Sequence, residues 1–301
     1  MRFLETYAAS DNGFDSTLVC PAGIIDLMQS RENKAWLRRA IVLLSASLLG
    51  LSSLGMGMTE LSAGEKDTVR SVLDGDTLYL GNGLKVRLSA IQAPKLPLGR
   101  KGFKAWPLGE ESKAALQTLT NGKTLQLYYG GERRDRYDRA LAQAYSLDSD
   151  GERDIWIQEE MVRRGMARVY TWPDTFQDSK KLYAAEISAR DAKRGIWADD
   201  YYQIRGPAPD SLAQDIDSYQ IVQGIVTSTA DVRGQIYLNF GADYKTDFTI
   251  AIAKRDRKRF KKAGLDPLSL EGASVRVRGW IELSNGPMIW LDHPERLEIL
   301  N

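Results

Sequence analysis

Between Arg205 and Ser218 the chain reads RGPAPDSLAQDIDS, two prolines among small polar residues. Such a segment continues neither a helix nor a central strand, so the sequence on each side must bury a core of its own. The 301 residues suit two domains of ordinary size, and 43% hydrophobic content can fill two cores. The organisation expected is an N-terminal extension over 1–63, a first domain over 64–205, a linker over 206–218 and a second domain over 219–301.

The first domain opens with strand-like runs at 68–73, 77–80 and 84–91, the last alternating Leu84, Val86 and Leu88 against Lys85, Arg87 and Ser89. Arg87 therefore points away from the aliphatic face. A loop rich in Pro, Gly and Lys leads to a helix at 110–119, strands at 123–129 and 140–147, and two further helices. Asp154 suits the N-cap of the first of these and Gly165 its stop, while Leu182, Ala185, Ala189 and Ala192 give the second its apolar face before Gly195. The fold class read from this order is α+β and mostly β. The second domain reads as strands at 221–227, 235–240 and 248–253, a helix at 256–263, then strands at 274–283, 288–291 and 296–300. A helix between the third and fourth strands suits a small OB-like β-barrel.

Composition narrows the chemistry. A single cysteine, Cys20, excludes an internal disulfide framework, and a single histidine, His293, excludes multi-histidine metal sites. With 41 Lys plus Arg against 40 Asp plus Glu, the net charge of +1 provides no global attraction to polyanions, so any such partner must be met by a local patch. His293, in Asp-His-Pro, reads as a turn residue, and Trp280 and Trp290 read as barrel packing.

Residues 40–58 carry no charge, with Arg31, Lys34, Arg38 and Arg39 before them and Glu60, Glu65 and Asp67 after. That pattern targets a membrane and sends the chain beyond Met58 across it. The expected location is exocytoplasmic: periplasmic or secreted if a signal peptide is removed at the small-x-small site Ser53-Leu54-Gly55, membrane-anchored through a transmembrane helix if it is not. A start at Met28 would leave an ordinary n-region.

Asp74 and Asp76 flank Gly75 in DGDT. Two carboxylates on one face suit a hard cation such as Ca2+, and the same four residues also make an ordinary turn. Arg133, Arg134, Arg136 and Arg139, interleaved with Asp135, Tyr137 and Asp138, can clamp phosphate oxygens or pair with their own aspartates. In the long loop, Lys95, Arg100, Lys101 and Lys104 alternate with Phe103 and Trp106, a mixture used for phosphates and stacked bases. The run KRDRKRFKK at 254–262 is the densest basic patch, read as a solvated helix able to attract a polyanion.

Taken in order, DGDT, R-L-x-x-I-x-A-P, R-x-D-x-Y-x-R-x-L-A, W-x-x-x-E-M-V-R-R-G-x-A-R-V-Y and a closing R-G-I-W resemble the staphylococcal nuclease, or thermonuclease-like (TNase-like), domain over 68–197. The resemblance implies an OB-type five-stranded barrel with three helices and a Ca2+-dependent endonuclease or phosphodiesterase acting on DNA or RNA. It assigns Asp76 as metal carboxylate, Asp74 as its acidic helper, Arg87 and Arg139 as catalytic phosphate clamps, and Asp135 and Tyr137 to the nucleotide-side loop; Arg100 and Lys101 are nucleic-acid contacts expected from the loop's own composition. Departures are expected to weaken metal-dependent hydrolysis. Gln92 stands where the family has an aspartate ligand, Ala93 where it has a threonine, and Lys95 where it has the general-base glutamate. Gln92 is at best a weak metal ligand. The alternatives are a non-catalytic nucleic-acid-binding module that keeps the clamping arginines, and a protein-interaction scaffold.

Overall fold

Residues 61–300 are described by the computed structural model, so the apolar run at 40–58 and the expectations attached to it lie outside the described residues. Among the described residues, no helix is long and apolar enough to cross a membrane.

The first barrel is built from β1 (Ser62–Asp74), β2 (Thr77–Leu80), β3 (Lys85–Leu88), β5 (Thr124–Tyr129) and β6 (Ala140–Leu147). Neighbouring strands run antiparallel in the order β3-β2-β1-β5-β6, and a parallel pairing of β3 with β6 closes the ring. Strand alternation sends Leu78, Leu80, Val86, Leu88, Leu125 and Leu127 inward, where none is exposed. The helix α1 (Gly109–Thr120) crosses between β3 and β5 and buries Leu116 and Leu119; α2 (Ile157–Arg163) adds Ile157, Met161 and Val162. A third helix, α3 (Ser179–Asp191), packs on α2.

Two details depart from the sequence expectation. The strand expected at 84–91 breaks at Ala90, whose φ of 61° turns the chain so that β4 (Ile91–Gln92) leaves the barrel and pairs with β8 (Arg168–Val169). Asp154 is no helix cap: it lies inside an unanticipated strand, β7 (Arg153–Trp156), because Tyr145 and Leu147 of β6 capture Trp156 and Arg153 as ladder partners. Gly165 does end α2, at a φ of 67° and with Arg194 O only 2.1 Å from where a Cβ would stand.

The second barrel repeats this plan with β9 (Tyr219–Ile225), β10 (Ser228–Val232), β11 (Gln235–Asn239), β12 (Thr249–Ile252), β13 (Ser274–Ser284) and β14 (Gly286–Trp290), and β15 (Leu297–Leu300) alongside. β9 and β10 act as one bent strand, the first half on β13 and the second on β11, and a parallel β12–β14 pairing closes the ring. The helix α4 (Arg257–Lys262) sits between the third and fourth strands of that ring, as α1 does in the first. Both rings are thus OB-type barrels. The basic run ends in α4, where Phe260 is buried, Arg257 pairs with Asp231 and Arg259 with Asp256, while Lys258, Lys261 and Lys262 are exposed and have no ion pair among the described residues.

The segment expected as a linker has structure of its own. Pro209–Leu212 form a helical turn, Leu212 is buried in the second core, and Arg205 Nε donates to Asp215 Oδ2 at 2.9 Å. Ala189, Ile196, Trp197, Tyr202 and Ile221 make a third apolar cluster that joins the barrels.

Candidate functional site

Asp74 ends β1, and Gly75 and Asp76 turn the chain into β2. Asp74 Oδ1 accepts the backbone N–H of Asp76 at 3.1 Å, so DGDT is a hydrogen-bonded turn that also aims Asp76 inward. The glycine serves packing: a Cβ on Gly75 would lie 1.8 Å from Ser112 Oγ of α1 and 2.7 Å from Ala93 Cβ. Both carboxylates are buried, Asp76 completely.

Asp76 Oδ2 accepts two hydrogen bonds, from Lys95 Nζ at 2.5 Å and the Ala93 N–H at 2.8 Å, and forms an ion pair with Arg87 Nη2 at 3.3 Å. Its Oδ1 accepts from Thr77 Oγ1 at 3.1 Å. Burial alone would raise this carboxyl, but Arg87 and Lys95 hold it well below the usual carboxylate range. Asp74 is pushed the other way, by burial first and by the charge of Asp76 second. Arg87 also donates to Leu88 O and, at 2.7 Å, to Ile91 O, which clamps the β3–β4 turn beneath it. Burial lowers the Lys95 ammonium while Asp76 pulls it back up.

Gln92 is committed elsewhere. Its Oε1 accepts Arg168 Nε at 3.0 Å and Nη2 at 2.7 Å across the β4–β8 pair, and the same Nη2 donates to Tyr219 O of β9 at 2.9 Å. Arg168 is buried, has no carboxylate partner among the described residues, and lies over the rings of Tyr219 at 4.8 Å, Trp106 at 5.9 Å and Tyr202 at 5.9 Å. Sequence reasoning gives Arg168, within A-R-V-Y, no role. The only signal is a basic residue in an otherwise apolar run.

Arg139 stands just before β6, one residue ahead of Ala140, the parallel partner of Val86, and two ahead of Leu141, the partner of Arg87. Asp135 holds Arg139 through Nε at 2.7 Å and accepts the N–H groups of Tyr137 and Arg139 at 2.9 and 3.1 Å. Tyr137 is 64% exposed. Arg100 is spent on its own loop, donating to Leu96 O at 2.6 Å and Pro97 O at 3.1 Å and covering Phe103, whereas Lys101 is exposed. Glu110 and Glu111 are exposed in the first turn of α1.

The Ca2+ implied by the resemblance does not fit these residues. A hard cation needs several free oxygen donors. Oδ2 of Asp76 already accepts an ammonium and a backbone N–H and is paired with Arg87, and the oxygen of Gln92 is taken by Arg168. Among the described residues no group of three or more His, Cys, Asp and Glu side chains could hold a metal.

Where the barrels meet, Thr171 Oγ1 lies 2.8 Å from His293 Nε2, and His293 Nδ1 lies 2.7 Å from Asp292 Oδ1. Thr171 and His293 are both buried, so this hydroxyl–imidazole–carboxylate chain ties the halves together and is closed to a substrate. His293 is thus more than a turn residue. Trp280 and Trp290 are not barrel packing either, being 46% and 37% exposed. Trp280 continues an aromatic row through Tyr219 and Tyr170 to the exposed Trp172.

Residues 85–199 match the family described as staphylococcal nuclease homologue. A probable staphylococcal-like nuclease, CAN1, of Oryza sativa subsp. japonica is 32% identical over 119 residues, 40% of this chain and 30% of that protein. The probable endonuclease lcl3 of Pyrenophora tritici-repentis is 35% identical over 118 residues, covering 38% and 41% of the two chains. Endonuclease YncB of Bacillus subtilis is 30% identical over 140 residues, covering 45% and 63%. The match thus spans between 30% and 63% of these relatives' own lengths. Arg87, Gln92, Lys95, Arg139 and Arg168 all fall inside the segment that is similar to the staphylococcal nuclease family.

Proposed function

We propose that this chain acts on nucleic acid at its phosphodiester backbone, as a nuclease-type protein of low hydrolytic power. The observation that carries the reading is the convergence of Arg87 and Lys95 on one buried carboxylate at the β1–β2 turn, with Arg139 just before β6, the strand that pairs with that of Arg87. Guanidinium groups at Arg87 and Arg139 suit two non-bridging oxygens of a phosphodiester, and they stabilise the charge that builds on those oxygens as water attacks phosphorus and the ester oxygen leaves. What the site lacks is a base. Asp76, held low by two cations, is a poor proton acceptor, and general-base help is worth about 10²- to 10⁴-fold.

A second reading, favoured by the 2.5 Å contact between Lys95 and Asp76, is a module that grips phosphates without cutting. Full-length protein incubated with end-labelled single- and double-stranded DNA and RNA at low salt, beside Arg87→Ala and Arg139→Ala, separates the two. Slow cleavage lost in Arg87→Ala supports the first. Salt-sensitive binding without cleavage selects the second, and neither binding nor cleavage overturns both.

The same reading places the activity outside the cytoplasm, on the strength of the uncharged run at 40–58 and the basic residues before it. Protease added to intact cells should digest the barrels only after the outer barrier is opened, or in the medium if they are secreted. Protection that persists until the inner membrane is lysed would remove the export proposal.

A further inference from the structure

We infer that the ammonium of Lys95 is a built-in counter-ion that takes the place of a divalent metal, so that the site around Asp76 binds phosphate anions without metal. This deepens the nucleic-acid reading and rests on it only for the identity of the larger ligand. Three features of the site argue for it. Lys95 Nζ sits 2.5 Å from Asp76 Oδ2 and the Ala93 N–H and Arg87 fill the rest of that oxygen's surroundings, so a cation could enter only by displacing an ammonium already in place. Freeing Gln92 Oε1 would break both of its hydrogen bonds to Arg168, leaving a buried guanidinium with only the Tyr219 carbonyl as acceptor among the described residues.

Charge points the same way. Arg87 and Lys95 already balance the two carboxylates, Asp74 and Asp76, with both acids ionised. A 2+ ion would meet no uncompensated negative charge there. An ammonium has three N–H donors and Asp76 uses one. The Lys95 side chain keeps 20% of its surface exposed, and both it and Arg87 contact the same Asp76 oxygen. These donors suit the oxygens of inorganic phosphate or of a phosphodiester.

The test uses full-length protein and two readouts that need no activity: the thermal midpoint and isothermal titration, with CaCl2, with MnCl2, and with inorganic phosphate in EDTA. Expected are no saturable Ca2+ or Mn2+ heat, a midpoint that Ca2+ moves no more than KCl of equal ionic strength, and a midpoint that phosphate raises in EDTA. Lys95→Met should weaken phosphate binding about tenfold while gaining no Ca2+ binding, and Gln92→Asp with Lys95→Glu should reverse the preference. Saturable Ca2+ binding to the wild type that Asp76→Ala removes would overturn the inference, as would phosphate binding that vanishes in EDTA. Should the double variant not fold, Lys95→Met and the wild-type titrations still decide it. Nucleic acid bound only in the presence of Ca2+ sinks this inference and leaves the nucleic-acid reading standing; phosphate bound in EDTA without any nucleic-acid binding does the reverse.

Discussion

Arg278 of β13 and Glu186 of α3 meet across the seam between the barrels, 2.9 Å apart and both without solvent exposure. Arg278 Nη1 also donates to Glu186 Oε2 at 3.1 Å and to Val169 O at 3.0 Å, and Glu186 Oε2 accepts the Val169 N–H at 2.6 Å. Val169 adjoins Arg168, so the second barrel is bonded directly to the strand that holds Gln92. Each member of this buried pair has a second ion-pair partner, Glu298 for Arg278 at 2.7 Å and Arg190 for Glu186 at 3.3 Å, so removing one member leaves the other partly paired, at a cost below the about 3–5 kcal/mol typical of an isolated buried pair. Arg278→Met and Glu186→Leu should each lower the urea midpoint of the full-length protein, and the double variant should lie closer to wild type than either sum predicts. Strictly additive losses would show that the two side chains are not coupled.

Acid should weaken the same seam. Burial opposes ionisation of Glu186, yet Arg278 holds its carboxyl below the ordinary range; Asp292, likewise opposed by burial, is pulled to about 2 from an ordinary 3.8 by His293 and Arg296. For a carboxyl whose folded value is depressed, the stabilisation is present above the unfolded value and is lost as pH falls through the folded one. The Asp292 contribution should therefore be intact above about pH 4 and gone near pH 2. Asp74, raised by burial and then by Asp76, works in the opposite direction. Stability measured from pH 6 down to pH 2 should fall steeply at the acid end, and Asp292→Asn should flatten that fall. An unchanged profile in Asp292→Asn would remove Asp292 from the account.

Arg139 offers a test of how nucleic acid is held. Asp135 keeps its guanidinium at a fixed place, at 2.7 Å, beside the strand that carries Arg87. If Arg139 contacts one phosphate, Arg139→Ala should weaken binding about equally for all sequences. It should also reduce the slope of log affinity against log salt by about 0.7 on single strands or 0.9 on duplex. Lys262→Ala, on the distant α4, should leave the slope unchanged at this site. Equal losses in both variants would mean that the contact is general surface charge.

The barrels were legible in the sequence because alternation in 77–80, 140–147 and 274–283 is dictated by which face meets the core. Missed were β7 and β10, short strands with mixed faces whose existence depends on partners already in place, Trp156 on Tyr145 and Ser228 on Asn239. Arg87, Arg139, Asp74 and Asp76 could be singled out from local motifs. Their use could not, since the contact that ties Lys95 to Asp76 spans 19 residues and the one that turns Gln92 toward Arg168 spans 76. Arg278 went unremarked because a lone basic residue in a strand reads as a surface charge until a second barrel covers it.

Gly75 provides the last prediction, since it joins the carboxylate turn to α1. Ser112 Oγ donates to Met166 O at 2.6 Å, which fixes it against the turn, and a Cβ on residue 75 would come within 1.8 Å of that oxygen. Ser112 cannot swing aside without losing this bond, so either α1 or the turn must shift. Overpacking of this kind typically destabilises by about 1–3 kcal/mol. Gly75→Ala should lower the thermal midpoint accordingly and loosen phosphate binding, because a displaced turn carries Asp76 away from Lys95. Adding Ser112→Ala should restore part of the midpoint, the oxygen clash being relieved while the Ser112 Cβ position at 2.9 Å remains tight. A Gly75→Ala protein that melts and binds like wild type would mean that the turn and α1 are not in the close contact from which Asp76 takes its position.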